Sequence, residues 1–364
     1  QLRHKAVDIE KTAVIFDGIQ FCPQALTSLN YFYENMPRLN IMCAGSLLGI
    51  ALAKPLSFPV GKVNFLTLYP MDFSEFLLAC GQEYLYNYLK ELPEDEKISP
   101  ALFGEIKGYY RDYILVGGMP EAVLTWVNTH DTEKTDAVLS DILKSYELDF
   151  AKHAPSSDFP KLSAIWKSIP YQLAKENKKF VYSKVVKGGR SRNLSDALEW
   201  LVSAGLVYKI NLIEKPYIPL SSPADISSFK VYLCDVGLLR LMSRFPIEEF
   251  FSDDVSFSFI RGAVTENFVL TELVSSTGDV PFYWSSGNTA EIEFVIQDGS
   301  NVVPIEVKAG IHTASKSLKV YRERFSPKYA VRFSLKNKGS VSDEFGKFIS
   351  LPLFLSGDVV RQLK

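Results

Sequence analysis

Residues 291–308 restrict the fold more than any other segment, because two alternating apolar runs flank Asp298-Gly299 there. Asp-Gly between such runs is a strong signal for a β-hairpin with a two-residue turn. If Asp298 and Gly299 are the central turn residues, Ile292 lies opposite Ile305. The sequence therefore predicts a hairpin with one apolar face.

The other face of this hairpin carries charge. The same register places Glu291 opposite Glu306, and it puts Glu293 and Lys308 on that face as well. Like charges this close repel one another unless they are compensated. Lys308 can compensate them in part, and a hard divalent cation could do more. The structural alternative is an exposed face joined by weak Glu–Lys pairs.

A second pattern lies near the beginning of the chain. Residues 12–16 and 39–44 are short apolar runs, and a helical pattern opened by Pro23 separates them. This order predicts two parallel strands with a helical crossover, and residues 12–16 suit a strand buried on both faces. Open α/β sheets bind ligands at the carboxyl ends of their strands, where Asp17 and Ser46 stand. An Asp that ends a buried strand is more often simply a residue that faces a loop.

The middle of the chain reads as helical. Asp72 to Glu75 fits a capped helix start, residues 84–115 read as one helical stretch, and a further stretch covers about 132–150. Gly117-Gly118 followed by Pro120 would end the long stretch. Residues 160–212 then show helix, short helix, turn, helix and strand, which is the order of a winged helix-turn-helix.

This middle region contains a strongly basic segment. Seven cations and one acid fall between positions 175 and 192, so the local charge is 7 − 1 = +6; the cations are Lys175, Lys178, Lys179, Lys184, Lys187, Arg190 and Arg192. Phosphate contacts favour such a segment. We expect Lys184, Lys187, Arg190 and Arg192 to contact DNA. Winged helices also mediate protein contacts, and a charge run can be a solvated face.

Composition narrows the class of protein. The 364 residues carry 40 Lys and Arg against 42 Asp and Glu, a net charge of −2, which excludes a globally basic nucleic-acid protein. The four cysteines form no CxxC pair, which favours a reduced, cytoplasmic protein. No uncharged run has the length of a membrane span, so we expect no membrane association.

The N-terminal pattern resembles a known family. Four apolar residues before Asp17 resemble a Walker B strand, whose Asp helps to hold Mg²⁺ on ATP phosphates, and Ser46 resembles a residue that contacts the γ-phosphate. Residues 14–32, 44–52 and 58–77 resemble the AAA-type (STAND-related) ATPases of bacteria and archaea, as does the GGMPEA segment. The resemblance implies ATP as cofactor. Members usually have Glu at the position of Gly18, which cannot polarise an attacking water.

A P-loop, G-x-x-x-x-G-K-[ST], is needed to hold the phosphates, and the printed chain contains none. Gly61-Lys62 is followed by Val63 and has no glycine at the required upstream spacing. Only sixteen residues precede Asp17. We therefore expect the first strand and P-loop to be missing from this chain, and ATP not to bind it tightly.

Residues 283–296 and 304–310 resemble a PD-(D/E)XK nuclease core, which the same family carries at its C-terminus. The resemblance implies that Glu293 and Glu306 hold Mg²⁺ or Mn²⁺, that Glu266 on a preceding helix assists, and that Lys308 orients water or stabilises charge. The family usually has Asp in place of Glu293. Glu has one methylene more than Asp, so its carboxylate is displaced from the position that the family's Asp carboxylate occupies.

Together these patterns predict an α/β chain of four parts. They are a truncated AAA-type, P-loop NTPase-like parallel sheet (1–65), a helical lid (66–155), a winged helix (156–222) and a restriction-endonuclease-like α/β domain (223–364). Three functions remain open: an ATP-dependent switch protein with a nuclease-like module, a metal-dependent nuclease or DNA-binding effector, and a non-enzymatic module that binds a protein partner or a second copy.

Overall fold

The computed structural model describes residues 8–9, 11–45, 61–155, 157–222, 224–252, 254–287, 289–311 and 316–363. The chain divides into two units. One comprises residues 1–68 with 198–207, and the other comprises residues 69–197 with 208–364.

The described part of the first unit contains a parallel strand pair. Strand β1 (Ala13–Phe16) pairs with β2 (Asn40–Cys43), and helix α1 (Pro23–Asn35) connects them. This confirms the predicted strand–helix–strand order. The expectation that β1 is buried on both faces is wrong, because Ile15 is 64% exposed; Met42 on β2 is 56% exposed. One helix cannot cover both faces of a strand pair, and no further strand pairs with them among the described residues.

The second unit begins with helices. In chain order they are α2 (Phe73–Ala79), α3 (Glu83–Glu91), α4 (Pro100–Val116), α5 (Pro120–Thr129), α6 (Thr132–His153) and α7 (Phe159–Leu173). Asp72 and Glu75 form the predicted capping box at α2. The single helix expected over 84–115 is wrong, because the chain leaves the helix after Glu91. Pro93 disfavours helical geometry at the residue before it, and a new helix begins at Pro100.

The remaining helices are interleaved with strands. Helices α8 (Ser191–Ser203), α9 (Val236–Met242), α10 (Ser258–Thr277), α11 (Ser317–Phe325) and α12 (Val359–Gln362) follow in chain order. The strands are β3 (Val207–Ile213), β4 (Ala224–Leu233), β5 (Phe282–Ser285), β6 (Glu291–Asp298), β7 (Asn301–Val307), β8 (Tyr329–Ser334), β9 (Gly339–Asp343) and β10 (Gly346–Pro352). No helix in the described part of the chain is long and apolar enough to cross a membrane.

These eight strands form one mixed sheet in the order β4-β3-β5-β6-β7-β8-β10-β9. The pairs β3/β5, β7/β8 and β8/β10 are parallel, whereas β5/β6, β6/β7 and β10/β9 are antiparallel. Helix α11 packs against the sheet through Leu318 and Tyr321, which share an apolar cluster with Trp284, Ile292 and Ala330. This cluster fixes the central strands that carry the charged residues described below.

The β6–β7 hairpin exists, but its register differs from the predicted one by two positions. Phe294 lies opposite Ile305, and Asp298 pairs with Asn301, so the central turn residues are Gly299 and Ser300. Gly299 has φ +57° at the first central position, where type II′ hairpins favour glycine. A shift of two leaves each side chain on the face that was predicted for it, since strands alternate with a period of two.

Asp235 connects the end of β4 with the turn between α4 and α5. Its buried side chain caps α9 by accepting from the backbone N–H of Leu238 at 2.9 Å, and it accepts from Gly118 N–H at 2.7 Å. Gly117 has φ +73°, and a Cβ at this position would collide with the Asp235 carboxylate. The Gly117-Gly118 pair predicted as a helix stop is therefore also a docking point for Asp235.

Candidate functional site

The structure brings the four predicted catalytic residues together in an acid–base cluster. Glu266 comes from α10, Glu293 from β6, Glu306 from β7, and Lys308 from the residues just after β7. Lys308 Nζ lies 3.5 Å from Glu306 Oε1, and Val307 N–H donates to Glu293 Oε2 at 3.1 Å. The carboxylates of Glu266 and Glu306 both act on the pKa of Glu293 and on the pKa of Lys308.

Helix α10 is held in register with β4 by Asn267. Its buried side-chain amide accepts from the backbone N–H of Leu233 at 2.9 Å and donates to the carbonyl oxygen of the same residue at 3.1 Å. The adjacent Glu266 is thereby placed beside β4, where Tyr232 donates its hydroxyl to Glu266 Oε2 at 2.9 Å. The position of Glu266 therefore depends on contacts between residues far apart in sequence.

Three further cations complete the cluster. Lys178 donates to Glu266 Oε1, Lys230 donates to Glu291 Oε1 at 2.5 Å, and Arg332 donates to Glu306 Oε2 at 2.6 Å. Lys230 is 1% exposed, and its ammonium also lies 4.9 Å from the centre of the Tyr283 ring.

With Lys308, the cluster contains four cations: Lys178, Lys230, Lys308 and Arg332. It contains four acids: Glu266, Glu291, Glu293 and Glu306. The formal charges therefore balance.

The two central acids differ in their affinity for a proton. Burial raises the pKa of Glu293 to about 7; the carboxylates of Glu266 and Glu306 add to this effect, and the ammonium groups of Lys308 and Lys230 oppose it. Burial alone would also raise the pKa of Glu266. The ammonium groups of Lys178 and Lys230 outweigh burial and hold the pKa of Glu266 below its usual value.

The cations are correspondingly held in their charged forms. Burial would lower the pKa of Lys230, but the carboxylates of Glu291 and Glu266 raise it above its usual value. Burial would likewise lower the pKa of Lys308, and Glu293 and Glu306 raise it. At neutral pH both lysines thus serve as counter-ions rather than as bases.

This charge balance bears on the metal role expected of Glu293 and Glu306. A divalent cation added beside four acids and four cations would leave an uncompensated positive charge in a largely buried place. Among the described residues, no group of three or more His, Cys, Asp or Glu side chains is arranged to hold a metal ion. The donor set therefore does not fit a divalent cation unless one of the chain's own cations is displaced.

One oxygen of the cluster has no donor. Glu306 is fully buried, and none of the residues that the structure describes donates a hydrogen bond to its Oε1, although Lys308 Nζ is 3.5 Å away. A buried acceptor of this kind is costly and often marks a place where another group binds.

The basic segment has two parts with different surroundings. Lys178 is turned into the acid–base cluster, and Lys179 donates to Ser228 Oγ at 2.8 Å. The four cations predicted to contact nucleic acid are all exposed: Lys184, Lys187, Arg190 and Arg192. Lys175 and Lys179 are exposed as well, so within the basic segment only Lys178 is turned away from solvent.

The elements expected of a winged helix occur in the predicted order. Helix α7, a short 3-10 helix (Tyr182–Lys184), α8 and β3 follow one another, and β4 returns beside β3. Both strands belong to the eight-stranded sheet. The winged-helix assignment stays a prediction.

The structure says less about Asp17 and Ser46, the two residues predicted to contact the nucleotide. Asp17 is exposed and directly follows β1, as expected for the end of a parallel strand. Ser46 lies outside the described residues. The roles of Asp17 in holding Mg²⁺ and of Ser46 in contacting phosphate stay predictions.

Four contributors to the acid–base cluster were missed from the sequence: Lys178, Lys230, Tyr232 and Arg332. Lys230 interrupts an otherwise apolar run, which could have marked it as a buried, paired charge. Lys178 stands in a run of cations, and nothing in the sequence distinguishes it from its neighbours. Nothing local marks Arg332, whose partner Glu306 lies opposite it on the neighbouring strand.

Comparison with known families divides the chain into three matched segments. Residues 1–77 match the family described as AAA domain, residues 107–249 match a domain of unknown function (DUF8612), and residues 261–354 match another (DUF4143). The last segment contains all four predicted catalytic residues. No curated protein matches the chain.

A solved structure, a Walker-type ATPase of Pyrococcus abyssi, is similar at 16% identity and a TM-score of 0.40. The match covers 63% of this chain and 62% of that one, and this TM-score is below the level that indicates a common fold. The family match shows that residues 1–77 are similar to AAA domains.

Proposed function

We propose that this protein is related to AAA-type ATPases and that its second unit binds nucleic acid along residues 184–192, beside a nuclease-like core neutralised by the chain's own cations. The observation that carries the proposal is the group of four exposed cations within residues 184–192. Lys178 and Lys179 bond to the protein, whereas Lys184, Lys187, Arg190 and Arg192 face solvent.

The geometry around the exposed cations suits a phosphate backbone. Arg190 directly precedes α8, and Arg192 lies in the first turn of that helix. A helix N-terminus attracts anions, and in a helix-turn-helix the first residues of the second helix approach the duplex. Binding of this kind releases counter-ions and weakens steeply with salt.

The test is fluorescence anisotropy of labelled DNA and RNA, double- and single-stranded, over a range of salt concentrations. Charge reversal in the double variant Arg190→Glu/Arg192→Glu should weaken binding by at least about tenfold at low salt. The matched control is Lys144→Glu/Lys167→Glu, which changes the net charge equally at side chains that are 70% and 58% exposed. Equal losses in both variants, or no binding at low salt, would contradict the proposal and favour a protein-interaction module.

A second candidate function is metal-dependent cleavage of nucleic acid by the acid–base cluster. It is supported by the buried Glu306 Oε1 without a hydrogen-bond partner, next to Lys308. Mn²⁺-dependent cleavage that disappears in Lys308→Ala would establish it. No cleavage of varied DNA or RNA with Mg²⁺ or Mn²⁺ would leave binding as the function of this unit.

A further inference from the structure

Lys178 reaches the acid–base cluster from outside the sheet. It lies on the short arm, residues 174–181, that leaves the end of α7. Its ammonium donates to Glu266 Oε1, and its side chain is only 14% exposed. The neighbouring Lys175, Glu176 and Asn177 are exposed, so Lys178 is set apart from the residues just before it.

The arm is fixed where it passes β4. Phe180 N–H donates to the carbonyl oxygen of Phe229 at 2.8 Å, and the two rings stack with their centres 5.7 Å apart. Val181 N–H donates to the side-chain oxygen of Gln172 at 2.7 Å. These contacts hold the backbone next to Lys178 in a definite place, so its ammonium is presented to Glu266 rather than left to sample solvent.

Helix α10 leaves room for this ammonium. Gly262 lies one turn before Glu266 on the same helix face, and a Cβ built on Gly262 would lie 3.8 Å from Lys178 Nζ. An alanine would fit here in ordinary contact, whereas a larger side chain would compete for the space that the ammonium occupies.

We infer that Lys178 is a positioning residue that serves as the resident cation of Glu266, in the place where a nuclease-like core would hold a metal ion. Lys178 is the cation that donates to Glu266, and Tyr232 donates to the other oxygen of the same carboxylate. Without Lys178 the buried carboxylate of Glu266 loses this ion pair, and a divalent cation becomes the simplest compensation for its charge. The inference rests on the part of the proposed function that concerns the neutralised nuclease-like core, but it does not depend on nucleic-acid binding.

The test measures Mn²⁺ affinity of the full chain by the electron paramagnetic resonance signal of free Mn²⁺. Wild type should bind Mn²⁺ weakly and no better than Glu266→Gln. Lys178→Met should bind at least about tenfold more tightly, and the double variant Lys178→Met/Glu266→Gln should lose that gain. Lys178→Arg keeps the positive charge and should bind Mn²⁺ as weakly as wild type. A merely structural role of the side chain does not require this result.

Two outcomes overturn the inference. One is a Lys178→Met chain, shown to be folded by circular dichroism, that binds Mn²⁺ no more tightly than wild type. The other is tight binding by wild type that disappears in Glu266→Gln, and this arm remains decisive if Lys178→Met does not fold. Loss of nucleic-acid binding in Arg190→Glu/Arg192→Glu has no bearing on either result, so this inference and the proposed function can fail separately.

Discussion

The acid–base cluster and residues 184–192 of the basic segment differ in the surroundings of their charged side chains. In the cluster, Glu266 and Glu306 are almost completely buried, and each lies against a cation from another element. In residues 184–192, four cations are exposed with no acid between them in sequence. Burial makes an unpaired charge too costly to keep, whereas water screens a charge at the surface. The paired charges of the first region therefore belong to the fold, whereas the exposed charges of the second are those that the proposed nucleic-acid contact requires.

The largest change in the free energy of unfolding is expected for Arg332→Met. It leaves the fully buried Glu306 without its closest partner, and breaking a buried pair in this way costs about 3–5 kcal/mol. Urea unfolding monitored by circular dichroism would measure the loss. The double variant Arg332→Met/Glu306→Gln should recover part of it, because no unpaired charge remains.

The control for this prediction is Lys319→Met on α11. Lys319 pairs with Glu323 at the surface, where its side chain is 76% exposed, and its loss should cost no more than about 0.5 kcal/mol. If Arg332→Met costs no more than this control, the cluster is not a buried ion-pair network of the kind described.

An intermediate change in the free energy of unfolding is expected for Glu293→Gln, and this change should depend on pH. The folded pKa of about 7 lies above the value of roughly 4.3 for an exposed Glu in an unfolded chain. Glu293 therefore contributes its full share of stability below about pH 4 and loses it as the pH rises through about 7.

Gln stays neutral and can still accept from Val307 N–H. The free energy of unfolding of Glu293→Gln should therefore rise relative to wild type between about pH 5 and about pH 8, by roughly 1–3 kcal/mol. Urea titrations at both pH values check this. A difference between the two proteins that does not change with pH would mean that Glu293 titrates as an ordinary surface acid.

The smallest effect on stability is expected in the exposed half of the basic segment. Lys184→Gln/Lys187→Gln should change the free energy of unfolding by no more than about 0.5 kcal/mol, because both side chains face solvent. The same variant should lower the slope of log affinity against log salt by about 2 for duplex DNA. A stability loss comparable to that of Arg332→Met would show that these lysines belong to a structural network as well.

Local patterns in the sequence were sufficient for most helices, for the parallel pair β1/β2 and for the β6–β7 hairpin. Their determinants are near one another along the chain, as in the capping box of Asp72 and Glu75. The hairpin register was missed by two positions. Gly299 satisfies either turn, and only the pairing of Phe294 with Ile305 decides between them.

The candidate site could be predicted only in part for a related reason. Its acids stand on a helix and a hairpin that the sequence reveals, but their partners come from distant places. Lys178 lies 88 positions from Glu266, and Arg332 lies 26 from Glu306. Whether a carboxylate is poised for a metal or already paired depends on these long-range contacts, which neither periodicity nor spacing contains.

The place of β3 and β4 in the sheet has a consequence for how this protein can be divided. The boundary predicted at 222/223 falls between two strands that are neighbours in a sheet continuing to β10. Asp235, just after β4, also accepts a hydrogen bond from the backbone N–H of Gly118, between α4 and α5. Recombination or gene fusion that exchanged only the residues after 222 would separate hydrogen-bonded partners, so we expect the region from α4 to β10 to be inherited and expressed as one block.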